Sequence, residues 1–70
     1  QVSRTEEVGR LRAALARLPE HHRLVFELGV SQELPYAEIA EVLEIPEGTV
    51  KSRMFHAVRK LRELLEGGPR

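Results

Sequence analysis

Lys51, Ser52, Phe55, His56 and Arg59 recur at a spacing that a helix turns into one face. At 100° per residue, Gly48, Ser52, Phe55 and Arg59 line up together, with Lys51 and His56 on their flanks. That face carries cations, a hydroxyl and an apolar ring, which is the chemistry of recognition rather than of catalysis. A lysine can donate to guanine, a glutamate can accept from cytosine, and an aromatic ring can touch a thymine methyl. The N-terminal part of such a helix is what enters a major groove. Here it offers Glu47, Gly48 and Thr49 ahead of Lys51, Ser52, Phe55 and His56. Gly48 lets another backbone, or a DNA phosphate, come close. Arg59 stands about two turns further along and is expected on the phosphate backbone. Arg53 lies near the edge of the opposite, apolar stripe, so its head is expected at a phosphate or at an acid of the preceding helix.

These side chains need a rigid support, and the sequence around them supplies one. Val50, Met54, Ala57, Val58, Leu61, Leu64 and Leu65 form the apolar side of a helix over 47–65. Before it, Tyr36 to Leu43 reads as a short helix with Ile39, Ala40 and Leu43 on one face. Ile45 can plug the angle between the two, and Pro46 cannot continue the first helix. Glu47 then suits the positive end of the second helix dipole. Residues 36–65 therefore read as a helix-turn-helix. Its expected core is Ala37, Ile39, Ala40, Leu43, Ile45, Val50, Met54, Ala57 and Leu61.

A solvated surface helix could also look this way, and the charge distribution argues against it. The 70 residues carry 11 basic and 11 acidic side chains, so net charge is zero. Residues 24–50 nevertheless contain Glu27, Glu33, Glu38, Glu41, Glu44 and Glu47 and no Lys or Arg. Residues 51–62 reverse this, with Lys51, Arg53, Arg59, Lys60 and Arg62 and no acid. Separated signs of this kind fit binding through one face.

The first half reads as two further helices, over 6–18 and 19–29. Val8, Leu11, Leu15 and Leu18 set the apolar spacing of the first, with Ser3 or Thr5 as its cap. Arg10, Arg12 and Arg17 read as its solvated face. Pro19 is acceptable at the first position of the second helix, which carries Leu24, Val25 and Leu28. Gly29 to Pro35 reads as a connection, and Gly67-Gly68-Pro69 as a loose tail. His21 and His22 are adjacent, so they point about 100° apart and lack the spacing of a metal site; both are expected on the helix surface. Absence of cysteine rules out disulfides and thiolate chemistry. No Gly-rich phosphate loop or catalytic triad can be placed. No apolar run reaches membrane-spanning length, so no membrane insertion is expected. The expectation is a single all-α domain over 1–70, with no cofactor, metal or small-molecule substrate. Because the chain begins at Gln1 rather than Met, it reads as a fragment of a longer protein.

Leu18-Pro19-Glu20, the Tyr36 to Leu43 segment, Ile45-Pro46, Gly48 to Arg53 and Arg59 to Leu65 together resemble region 4 of bacterial sigma factors. The resemblance is to the extracytoplasmic-function type and covers roughly Val8 to Leu65. It implies a four-helix domain of the winged-helix-like, sigma region 4 type whose last two helices read the promoter −35 element. It also implies a cytoplasmic location, docking on the β flap of the RNA polymerase core, and control by an anti-sigma factor. Such proteins often have Arg where His56 stands, a basic residue where Val58 stands, and a Ser or Thr cap where Pro35 stands. LuxR-type regulators share the Glu-Ile-Ala and Thr-Val-Lys segments. They usually differ from this chain at Arg53, Ala57 and Leu18-Pro19, which favours the sigma resemblance. A helical module that only docks an anti-sigma factor or polymerase, without touching DNA, is the reading from another class.

Overall fold

Three of the four helices start immediately after a proline. In the computed structural model, which describes residues 4–67, Pro19, Pro35 and Pro46 are the N-caps of α2 (Glu20–Phe26), α3 (Tyr36–Leu43) and α4 (Glu47–Leu65). Each has φ near −60° and an extended ψ near 150°, the conformation that the pyrrolidine ring favours. None of the three helices has a side-chain cap, and the proline carbonyls accept their first backbone bonds, as in Thr49 N–H to Pro46 at 3.0 Å. Pro19 therefore stands one position before the helix rather than at its first residue. The observed limits of α3 and α4 are those read from the sequence.

The first half departs from its reading at the ends of its helices. α1 spans Arg4–Leu15 and is followed by a turn, so it starts earlier and stops earlier than 6–18. Thr5 lies inside α1 and is not its cap; Ser3 falls outside the described residues. α2 does not run on as an α-helix to residue 29. After Phe26 it widens into a π-helical turn over Glu27–Ser31, in which Gln32 N–H reaches the Glu27 carbonyl at 3.1 Å. Gly29 lies within this turn. A Cβ there would stand 2.6 Å from the terminal methyl of Met54, so the missing side chain lets α4 approach.

α4 is the shared wall of two core clusters. Its Ala57 and Leu61 pack with Ala14 and Leu18 from the end of α1 and the turn after it. One to two turns earlier, Val50 and Met54 pack with Val25 of α2 and Ile39 of α3. Phe26 touches both clusters and joins them. Val25, Ile39, Val50 and Ala57 have no exposed surface at all.

Most of the expected helix-turn-helix core is in place. Ile39, Val50, Met54, Ala57 and Leu61 are buried, and Ala40, Leu43 and Ile45 are half-buried against them. Ala37 is exposed, because it sits about 200° round α3 from Ile39. Val58 is also exposed, at 37%, and belongs to neither cluster. It extends the apolar stripe in sequence but lies past its edge in space. Val8 is exposed too, and Ala14 takes the inward position in α1. No strand occurs among the described residues.

The turn between α3 and α4 is closed by Glu44 in the left-handed region, at φ 59° and ψ 47°. Ile45 N–H bonds the Ala40 carbonyl at 3.0 Å and Glu44 N–H reaches the Glu41 carbonyl at 3.3 Å. This six-to-one closure fixes the angle at which α4 leaves α3. Ile45 then points into the joint and packs on the Val25, Ile39, Val50 and Met54 cluster, as its position predicts.

Candidate nucleic-acid interface

Because Val50, Met54, Ala57 and Leu61 are buried at spacings of four, three and four, the opposite side of α4 faces outward along its length. Glu47, Gly48, Lys51, Ser52, Phe55, His56 and Arg59 are all exposed there. Phe55 leaves 61% of its surface uncovered, a large apolar area for a side chain that no core needs. It forms the rim of an open groove with Tyr36, Met54, Val58 and Arg59. Nothing lies within 4 Å of a Cβ built on Gly48. That position is open space on the outward side of α4.

Two of the singled-out residues are placed differently. Thr49 is half-buried, next to buried Val50 at the joint with α3. Arg53 is also half-buried, and it makes no ion pair with the acids of α3. It lies instead on the α2 side, close enough for its positive charge to act on His22.

His22 is the residue that the sequence reading missed. It is half-buried on α2, and its ring stacks on that of His56 with centroids 5.9 Å apart and planes 20° from parallel. His21 meets His22 edge-on at 4.6 Å, and Phe55 meets His56 edge-on at 5.4 Å. Burial holds the His22 imidazole below its ordinary value of 6.5, and the charges of His21, His56 and Arg53 add to the effect. Adjacency of His21 and His22 in sequence pointed to two surface side chains. Only the packing of α2 on α4 brings the second of them to the outward face of α4. No group of described residues is arranged to hold a metal ion.

The family model described as "Sigma-70, region 4" matches residues 9–61, from α1 to the last buried residue of α4. The chain belongs to the sigma-70 region 4 family. Among curated relatives, the ECF RNA polymerase sigma factor SigL of Mycobacterium tuberculosis is 47% identical over 53 residues, which are 76% of this chain and 30% of SigL. The ECF RNA polymerase sigma factor RpoE of Cereibacter sphaeroides is 40% identical over 58 residues, 83% of this chain and 32% of RpoE. The ECF RNA polymerase sigma factor SigW of Bacillus subtilis is 41% identical over 51 residues, 73% of this chain and 27% of SigW. This region 4 chain thus spans about a third of the length of the relatives it matches. Between the two helix-turn-helix resemblances, family membership decides for the sigma type. The same matched segment contains every outward residue of α4 described above, from Glu47 to Arg59.

Proposed function

We propose that this chain is the promoter −35-reading domain of an alternative sigma factor of the extracytoplasmic-function type, directing RNA polymerase to its start sites. The observation that carries the reading is the outward face of α4. A family of transcription initiation factors presents here, on a buried helix-turn-helix joint, an exposed row of Lys51, Ser52, Phe55, His56 and Arg59. That row matches the donors, ring and cations that a major groove accepts. In this reading Glu47, Lys51, Ser52 and Phe55 meet bases, and Arg53, His56 and Arg59 meet phosphates. Gly48 gives the backbone room for DNA to close on the start of α4, where Thr49 completes the first turn.

The full protein would bind double-stranded promoter DNA together with the RNA polymerase core, through the β flap, and would be restrained by an anti-sigma factor. Support for polymerase as a partner comes from the relatives, each named as an RNA polymerase sigma factor. No described helix is long and apolar enough to cross a membrane, and the proposed work on promoters is cytoplasmic. The reading assigns the chain no catalytic reaction and no cofactor.

Fluorescence anisotropy of the chain on labelled duplex DNA tests this. Binding should weaken steeply with salt, because each phosphate contact releases counterions. Arg59→Ala should lower the salt slope by about 1, as the loss of one phosphate contact does. Salt-independent binding, or none, would turn the reading towards a module that docks protein partners only.

A further inference from the structure

The stacked pair His22 and His56 joins two helices, and the charged side chains around it are mostly basic. A cleft of ≈ 320 Å³ opens beside the pair, lined by Pro19, His22, His56, Arg59, Lys60 and Glu63. From α2, His21 stands edge-on to His22. From α4, Arg53 acts on His22, and Arg59 and Lys60 face the cleft. Glu63 alone among the lining residues is acidic, and it stands 4.0 Å from the Lys60 ammonium, at the limit of an ion pair. In a chain of zero net charge, this is a local excess of basic side chains, with Glu63 the one carboxylate among the lining residues.

Such a site is incomplete without an anion. Two near-parallel imidazoles 5.9 Å apart repel one another when both carry a proton, and Arg53 adds to that repulsion. An anion beside both rings reverses the balance, because it favours the protonated form of each and each imidazolium can donate to an oxygen. His56 and Arg59 are exposed on the outward side of α4 and also line the cleft, so a ligand held along that face is within reach of the cleft.

We infer that His22 and His56, with Arg59 and Lys60 beside them, form a proton-dependent seat for a phosphodiester of the DNA backbone. This rests on the DNA-binding reading above and extends it to α2, outside the helix-turn-helix. Binding takes up protons from solvent, up to one at each imidazole, and no covalent bond changes. His22 is then a DNA-contacting residue, and the complex tightens as pH falls while the free domain gains nothing from acid.

The experiment measures duplex affinity by anisotropy from about pH 7.5 to pH 5.5, the range in which imidazoles titrate. Wild type, His22→Gln, His56→Gln and the double variant are compared, with circular dichroism at each pH to confirm the fold. A second readout follows the His22 and His56 ring protons by NMR with and without DNA. For each proton taken up, affinity should rise by as much as about tenfold per pH unit. His22→Gln and His56→Gln should each flatten that dependence, and the double variant should flatten it most. In wild type, DNA should shift the titration of both rings upward. A duplex series with single neutral methylphosphonates should contain a position that removes the pH dependence, which ties the effect to one backbone phosphate. Inorganic phosphate that shifts the rings equally, with no such position in the duplex, would instead assign the seat to free phosphate and overturn the DNA contact. Salt-dependent binding weakened by Lys51→Ala and Arg59→Ala, but with the pH dependence untouched by His22→Gln, would overturn the seat and leave the function standing. Absence of duplex binding by wild type at every pH would overturn both.

Discussion

Arg10 of α1 donates from Nη2 to the carbonyl oxygen of Leu65, the last residue of α4, at 2.9 Å. A cation thus caps the negative end of the helix dipole and satisfies a carbonyl with no partner within its own helix. Arg10 reads from sequence as part of a solvated face; in space it ties the first helix to the last. The bond is exposed, which limits its worth. Arg10→Ala should cost about 0.5–1 kcal/mol in urea denaturation. Amide exchange should quicken in the final turn of α4 and leave the joint with α3 unchanged. Equal quickening along the whole helix would show that Arg10 acts on global stability instead.

Glu44 closes the helix-turn-helix in a conformation that suits glycine, with φ at 59°. Left-handed backbone costs an L-residue with a Cβ roughly 1 kcal/mol. Glu44→Gly should therefore stabilise the domain by up to about 1 kcal/mol, and Glu44→Ala should give no such gain. The urea midpoints of the two variants check this. A loss with glycine would mean that the Glu44 side chain contributes more than its backbone strain costs.

The two sides of α3 and α4 should respond oppositely to one change. Val50 has no exposed surface, so Val50→Asp buries a charge with no partner and should unfold the domain. Leu61→Asp, in the other cluster, should do the same. Ala37→Asp and Val42→Asp lie on the exposed side of α3 and should shift stability by no more than about 0.5 kcal/mol. Thermal melts by circular dichroism separate the two groups. Cooperative, wild-type-like melting of Val50→Asp would contradict the core described here.

What was legible in the sequence follows the range of the interactions involved. α3, α4 and their joint were readable because local signals agree: prolines at both starts, a period near 3.6, and Ile45 between them. The end of α2 was not, because the π-helical turn answers to the approach of Met54 on Gly29, and nothing local announces that. Val58 shows the limit of a helical wheel, which gives the direction of a side chain but not whether a neighbour covers it. The outward residues of α4 were found from spacing and charge. His22 was not, since it reaches that face only through packing of α2 on α4.

His22 gives the free domain a pH dependence whose sign is fixed. Burial and neighbouring cations lower its folded value below 6.5, so the unfolded chain binds its proton more readily. The stability due to neutral His22 is present above about pH 6.5 and is lost as pH falls towards the lower folded value. Wild type should thus lose stability between about pH 7.5 and pH 5.5, and His22→Gln should lose less over the same range. Urea midpoints at the two pH values measure it. An equal loss in both proteins would place the acid sensitivity elsewhere.

Base-reading and phosphate-contacting side chains should separate along the length of α4. Lys51, Ser52 and Phe55 are exposed within the first two to three turns, where a recognition helix enters the groove. Arg59 lies further along, and Arg53 is half-buried towards α2, so in the proposed reading both meet the sugar-phosphate backbone. Substituting Lys51, Ser52 or Phe55 should change which −35 sequence is preferred. Substituting Arg53 or Arg59 should weaken all sequences alike. A good base contact is worth roughly 1–3 kcal/mol of discrimination, enough to appear in a competition assay. Phe55 is the sharpest case, because its exposed ring could equally be covered by a protein partner. Selection from a duplex library randomised at the −35 position decides between the two. If Phe55→Ala and Lys51→Ala return the wild-type motif at lower yield, α4 holds DNA without reading it, and the ring at Phe55 belongs to a protein contact.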